Sequence, residues 1–340
     1  MKRFAVKYGW QVMYTLNMSD RPDQIAQLIQ TWDKVPPTWG PPITWVELGN
    51  EVYDVPTAAP AAQYANVSGR IIDALRKAAP GVQIGAVLTN PVNLAWDSTV
   101  YQALVSRVDF WVWHRYVPDS EYRGLESYAA TVDSFHAVES DFAKHERLLA
   151  PRRLPVFITE YNLSFYDQNQ KPQNRTLAGR YYLLLGNFLY LAIKYRTPVL
   201  VKQFLASAGW HFMADIEHER TGQPVLSRSR YVARVLDAWV TEQDSVGLVP
   251  QAGIDPFILS AVAGKSARGI ALLVQNHDSV ARQVSFDVGS GFTADSTTGV
   301  REHEGSFWTV RERGLLGGSG STMSAPPFSI TVVTFRPRRP

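Results

Sequence analysis

From Trp10 to about Trp239 the sequence alternates short apolar runs with longer segments of helical period, and no other feature restricts the fold as strongly. The runs lie at 11–16, 43–48, 82–87, 108–113, 156–159 and 199–204. Short runs without clear alternation suit strands buried on both faces, as in a parallel sheet covered by crossover helices. The segments between them supply the helices. After Pro22, the residues Ile25, Leu28, Ile29 and Trp32 fall at i, i+3, i+4 and i+7. Tyr64, Val67, Ile71 and Leu75 repeat that stripe before Pro80-Gly81, and Leu125, Tyr128, Val132, Phe135 and Phe142 form a longer one. Residues 175–196 are apolar on nearly every face, which predicts a well-buried helix. An α/β barrel and an open α/β sheet both satisfy this order.

After about Thr241 the texture changes to β-type runs at 257–263, 269–275, 284–288 and 329–335, broken by Gly, Ser and Pro. An antiparallel β-sandwich is expected there, so residues 1–240 and 241–340 read as two domains. A chain of 340 residues with 45% hydrophobic content is long enough for one large core and a smaller one. The net charge of +3 is spread along the chain apart from the tail 336–340, which excludes an electrostatic footprint for nucleic acid. With no cysteine and no metal-ligand spacing among the seven histidines, neither a metal nor a cofactor is expected. The first residues lack an apolar stretch long enough for a signal peptide, and no later run would span a bilayer. A cytoplasmic protein without a membrane partner is therefore the expectation.

Two of the apolar runs end in a glutamate: Trp45-Val-Glu-Leu-Gly-Asn-Glu51 and Phe157-Ile-Thr-Glu-Tyr-Asn162. A carboxylate in such a setting is costly unless it is paired or used, because desolvating it costs several kcal/mol or forces it to stay protonated. Two glutamates at converging strand ends suit glycoside hydrolysis. That reaction needs one carboxylic acid to protonate the leaving oxygen and one carboxylate to attack the anomeric carbon. In an α/β barrel, residues distant in sequence meet at the carboxyl ends of the strands. Glu51 and Glu160 are the natural pair.

Gly49-Asn50-Glu51 after one strand and Thr159-Glu160-Tyr161-Asn162 after a later one resemble clan A retaining glycoside hydrolases, in particular the arabinofuranosidase and heparanase-like branches. The resemblance implies a (β/α)8-type barrel followed by a β-sandwich. It makes Glu51, after barrel strand four, the acid/base, and Glu160, after strand seven, the nucleophile. It also implies that Asn50 contacts the sugar 2-hydroxyl. In Phe110-Trp-Val-Trp-His114-Arg-Tyr116, period-2 alternation places His114 and Tyr116 on one face, and in similar enzymes such a pair lines the sugar subsite. Trp210 resembles a platform for a sugar ring, although core packing is the ordinary use of tryptophan. Trp39, Trp96, Trp111 and Trp113 stand under the same alternative. Asn17 and Asn90, at two other strand ends, are candidate sugar contacts or plain turn residues. Glu47, four residues before Glu51, reads as structural, a buried ion-pair member with Lys202 as a plausible partner, or a protonated acid.

The expected activity is retaining and exo-acting on β-glycosides or α-L-arabinofuranosides, with a carbohydrate substrate and a carboxylate separation of about 5–5.5 Å. The alternative is a non-catalytic or degenerate carbohydrate-binding protein. One departure from the family is plain. With Glu51 after strand four, the run at 11–16 becomes strand three, and no sequence is left for strands one and two. The barrel is then incomplete, comprising strands three to eight, either through truncation or by nature. An open barrel exposes strand edges, so a homo-oligomer is expected, or else packing of the first residues over the gap.

Overall fold

All six apolar runs form strands in the computed structural model, which describes residues 11–19, 21–34, 43–53, 59–117, 128–163, 182–202, 214–215, 225–226, 229–249, 253–303, 306–310 and 322–338. They are β1 (Val12–Thr15), β2 (Ile43–Leu48), β3 (Gln83–Val87), β4 (Phe110–Val117), β5 (Val156–Leu163) and β6 (Val199–Lys202). Helices α1 (Pro22–Lys34), α2 (Ala61–Ala78), α3 (Leu94–Leu104), α4 (Tyr128–Leu149) and α5 (Leu185–Lys194) lie between successive strands. The sheet follows sequence order, β1-β2-β3-β4-β5-β6, and the pairs β1/β2, β2/β3 and β3/β4 are parallel. A doubly wound open sheet reverses its strand order part-way, whereas barrel winding advances steadily in one direction. The architecture is therefore an incomplete (β/α) barrel. Residue 51 follows β2 and residue 160 lies on β5, three strands on, the same interval that separates barrel strands four and seven.

Local sequence explains the helices and also where they depart from expectation. In α1, Ile25 and Ile29 are buried but Leu28 is exposed, so the apolar stripe is narrower than its spacing suggests. Helix α3 has no clean stripe because it buries the charged Asp97 beside Val100, Tyr101 and Leu104. Its start is marked instead by Asn93, whose side chain accepts a hydrogen bond from Trp96 N at 3.2 Å. Every residue from Leu185 to Ala192 in α5 is buried, as expected from a segment apolar all round. Strand β4 runs past Trp113 to Val117, and β5 runs past Thr159 to Leu163, which places Glu160 within the strand rather than beyond its end.

A second set of elements begins after α6 (Ser229–Thr241), which itself follows the short pair β7 (Ala214–Asp215) and β8 (Val225–Leu226). The strands are β9 (Ser245–Leu248), β10 (Leu259–Ser266), β11 (Gly269–Asn276), β12 (Arg282–Ser285), β13 (Phe292–His303), β14 (Ser306–Val310), β15 (Thr322–Ala325) and β16 (Ser329–Pro337). Six of them form a sheet in the order β14-β13-β16-β11-β10-β9, and β12 pairs with β15. Alternate residues of the large sheet, among them Leu259, Leu272, Val274 and Phe335, pack against Met323 and Ala325 of the small one. That interdigitation makes a β-sandwich. By packing, the chain divides into two compact units, Met1–Arg115 with Ser140–Glu160 and Thr197–Val201, and Tyr116–Glu139 with Tyr161–Arg196 and Lys202–Pro340. Among the described residues no helix is long and apolar enough to cross a membrane.

The centre of the barrel sheet depends on one close approach. Gly85 of β3 pairs with Phe110 of β4, and the Phe110 ring stacks on Phe157 of β5 at 4.3 Å between centroids. A Cβ on Gly85 would sit 2.1 Å from the Phe110 ring, so an added methyl must displace the aromatic pair. Gly85→Ala is expected to lower stability by about 1–3 kcal/mol through overpacking. Gly81, where a Cβ meets nothing within 4 Å, serves as the control. Urea unfolding followed by tryptophan fluorescence checks this, and equal midpoints for Gly85→Ala and Gly81→Ala would refute the packing assignment.

Candidate active site

Strand β2 ends at Leu48, and the next three residues turn sharply. Gly49 adopts φ +90°, and a Cβ there would lie 2.6 Å from Val52 Cγ1 and 2.7 Å from Met18 Cγ. Glycine is required on both counts. Glu51 itself has φ +42°, a left-handed conformation that costs a residue with a side chain about 1 kcal/mol or more. Two observations show what holds the turn in place. The Tyr64 hydroxyl on α2 donates to Leu48 O at 2.9 Å and accepts from Val87 N at 3.0 Å, so it ties the ends of β2 and β3 together. Burial pushes the Tyr64 hydroxyl pKa far up, which keeps it a donor at any working pH.

His114 on β4 lies at the meeting point. Its Nδ1 is 3.0 Å from Glu51 Oε1 and 3.6 Å from Glu160 Oε2, and one oxygen of each glutamate lies within 4.8 Å of the other and of Nδ1. The imidazole is only 2% exposed, whereas the side chains of Glu51 and Glu160 are 32% and 23% exposed. Both glutamate side chains are thus part-exposed to solvent. Burial alone pulls the His114 pKa down, but the hydrogen bond to Glu51 and the negative charges of Glu160, Glu47 and Glu51 overcome it, and the net shift is upward. Glu47 lies deeper, on β2, and is buried. Its Oε2 accepts from Thr15 Oγ1 at 2.7 Å, and its Oε1 has no hydrogen-bond partner among the described residues. His114 Nε2 is in the same position.

The remaining sequence-derived candidates fall in different places. Asn50 is exposed on the turn immediately before Glu51. Asn17 is exposed, and its Oδ1 accepts from Ser19 N at 3.1 Å, which is turn chemistry. Asn90 Oδ1 accepts from Arg115 Nη1 at 3.2 Å. Tyr116 is half-buried two residues beyond His114, in the second compact unit. Trp39, Trp210 and the side chain of Lys202 lie outside the described residues. Trp111 and Trp113 are fully buried packing residues. Trp96 stacks on Tyr64 at 5.3 Å and meets Tyr53 edge-on at 6.1 Å.

Sequence reasoning missed Arg115. It neighbours His114, is 1% exposed, and pairs with Asp141 of α4 at 3.0 Å, with Lys144 on the same carboxylate at 2.6 Å. Burial lowers the Arg115 pKa to about 10, with Asp141 opposing the shift. Successive strand residues face opposite sides, so β4 sends His114 towards the two glutamates and Arg115 towards the helix layer. The sequence signal was present as two ionisable residues side by side in an apolar strand. The partner of the second lies on a helix in another part of the chain.

Neither a family model nor a curated protein matches the sequence. Solved structures do match. AbfB, a family 51 α-L-arabinofuranosidase from Bifidobacterium longum, superposes with a TM-score of 0.75 over 98% of this chain and 78% of its own, at 14% identity. An α-L-arabinofuranosidase from Thermotoga maritima, solved with arabinose, gives 0.71 over 97% and 76% at 15% identity. The chain shares the fold of these arabinofuranosidases. Xyn30A, a family 30 subfamily 8 xylanase from Clostridium acetobutylicum, gives 0.59 over 93% and 72% at 12% identity. At such identities the likeness is one of fold, and the glutamate pair stands on its own geometry.

The charge arrangement around His114 can be tested directly. By NMR, His114 is expected to titrate above its ordinary 6.5, and Glu47→Gln is expected to lower that value by removing a nearby negative charge. A raised folded-state pKa means that the charged imidazole's contribution to stability is fully present below 6.5 and is lost as pH rises through the folded value. The wild type should therefore lose more stability than Glu47→Gln as pH rises through that interval. Identical His114 titration in both proteins would contradict the role given to Glu47.

Proposed function

We propose that the chain is a retaining glycoside hydrolase with Glu160 as nucleophile and Glu51 as acid/base, exo-acting on α-L-arabinofuranosides or β-glycosides. The observation that carries this is the separation of the two carboxylates, which have oxygens within 4.8 Å of each other. Retaining enzymes hold theirs about 5–5.5 Å apart, and inverting enzymes leave about 6.5–9.5 Å for a water molecule. The arabinofuranosidases among the fold neighbours favour a furanoside over the other sugars.

In this reading Glu160 attacks the anomeric carbon as the bond to the leaving oxygen breaks, and Glu51 gives that oxygen its proton. Water then attacks the glycosyl ester, Glu51 takes a proton from it, and Glu160 leaves as a carboxylate. Two inversions preserve configuration. The 3.0 Å bond between His114 Nδ1 and Glu51 Oε1 gives the acid a source for its proton. With one proton between them, the pair is either imidazolium and carboxylate or neutral imidazole and carboxylic acid. Exclusion of water by a bound sugar favours the neutral form, because separated charges lose their hydration. A shift of one proton along an existing hydrogen bond thus arms Glu51. Asn50, exposed one residue before it, is the proposed contact to the sugar 2-hydroxyl.

A panel of nitrophenyl glycosides that includes the α-L-arabinofuranoside tests the proposal. Activated aryl groups leave with little acid help, so Glu51→Ala is expected to spare them while losing about 10²–10⁴-fold on alkyl glycosides. Glu160→Ala should lose turnover on both. Azide added to Glu51→Ala should yield the glycosyl azide with retained configuration. Equal residual rates for the two variants would refute the assigned roles. Sugar binding without turnover by the wild-type chain would establish the carbohydrate-binding alternative instead.

A further inference from the structure

The side chains that meet at β2, β4 and β5 present two carboxylate oxygens and one imidazole nitrogen to the same small volume. His114 Nδ1 stands 3.0 Å from the Glu51 oxygen and 3.6 Å from the Glu160 oxygen. A tetrahedral zinc ion with ligands at about 2.0–2.2 Å needs donor atoms about 3.3–3.6 Å apart. Two of the three separations are already close to that range. The third, bounded by 4.8 Å, needs at most about 1.2 Å of closure, which rotation of a part-exposed glutamate supplies. Donor type matters as much as distance. Magnesium and calcium take oxygen ligands, while zinc and its neighbours accept imidazole and carboxylate together. The nitrogen donor is also held in place, because His114 is nearly fully buried and the carboxylates close on it from the accessible side.

We propose that Glu51, His114 and Glu160 bind one zinc ion, and that zinc bound there blocks the glycosidase. Ligation occupies the oxygen with which Glu160 would attack and the oxygen on which Glu51 would carry its proton. Coordination through Nδ1 also uses the lone pair that would hold the proton shared with Glu51, and that proton leaves to solvent. Blocking rests on the catalytic reading given above, whereas zinc binding does not.

Calorimetric titration of zinc sulfate into the full chain, stripped with EDTA and dialysed, is expected to show one ion per chain, with no heat from magnesium chloride. Glu160→Gln, a near-isosteric change at a part-exposed position, and His114→Ala are each expected to weaken binding at least about tenfold. Circular dichroism confirms that both variants fold. Cobalt(II) should give visible d–d bands with the wild-type chain that zinc abolishes and that Glu160→Gln lacks. In the aryl glycoside assay, zinc should raise the apparent KM without lowering kcat, and EDTA should restore it. No zinc uptake, or uptake equal in wild type and Glu160→Gln, overturns the site. Uptake without inhibition overturns the blocking role. Activity lost with EDTA and regained with zinc overturns both the blocking role and the metal-free chemistry proposed for the pair. Zinc uptake by a chain that hydrolyses no glycoside supports the site and removes the catalytic reading.

Discussion

Ionisable groups placed inside an apolar sheet must find partners, and the barrel domain is organised around that requirement. Glu47, His114 and Arg115 all lie on its strands with 3% exposure or less. Each would be prohibitively costly alone. Arg115 is matched on the helix side by Asp141 and Asn90. His114 is matched on the other side by Glu51 and Glu160, and Glu47 by Thr15. On the His114 side, Glu47 Oε1 and His114 Nε2 have no hydrogen-bond partner among the described residues, and the side chains of Glu51 and Glu160 are part-exposed. The pair with Asp141 ties β4 to α4 on the helix-facing side, and the opposite side brings two part-exposed glutamates to one buried histidine.

Backbone strain points to the same place. Of the residues with side chains that take a positive φ in the described structure, Glu51 is the one with a carboxylate beside His114. A glutamate in relaxed backbone would leave the turn in another direction. Gly49 makes the reversal possible and Tyr64 clamps both strand ends around it, so the cost at position 51 is met by neighbours that cannot readily relax. Loss of the Tyr64 hydroxyl would release the Leu48 carbonyl and the Val87 amide together, and with them the aim of Glu51.

Much of the barrel is legible in the sequence because parallel strands are continuous apolar runs and their helices carry period. Glu51, Glu160 and His114 are legible for a related reason, since each interrupts such a run with a charge that needs a purpose. Helix α3 is harder to read because it carries its own buried charge, Asp97, on the face that should be apolar. That carboxylate is satisfied by Thr89, through both its amide and its hydroxyl, and by His145. Those partners lie in different elements, and nothing local announces them. The length of β5 is obscure for a similar reason. A polar residue after an apolar run reads as a strand end, yet β5 continues through Glu160 to Leu163. Asn17 shows the opposite ambiguity, as the same residue type serves turns and sugars, and here its oxygen bonds the backbone two residues on.

The distance between the two glutamates also bears on the shape of the sheet. Neighbouring strands lie about 4.7–4.9 Å apart, so three steps from β2 to β5 span about 14 Å in a flat sheet. Two glutamate side chains standing upright on a flat sheet would keep roughly that separation. Their oxygens instead come within 4.8 Å, with a histidine from the intervening β4 reaching both. The sheet must therefore curl strongly towards the face that carries them, and curvature of that hand and degree belongs to a barrel. Six strands are enough to produce it, because the curl is set pairwise by twist and by close approaches such as Gly85 to Phe110. The convergence of the carboxylates is thus a local property of β2 to β5 and does not require the sheet to close.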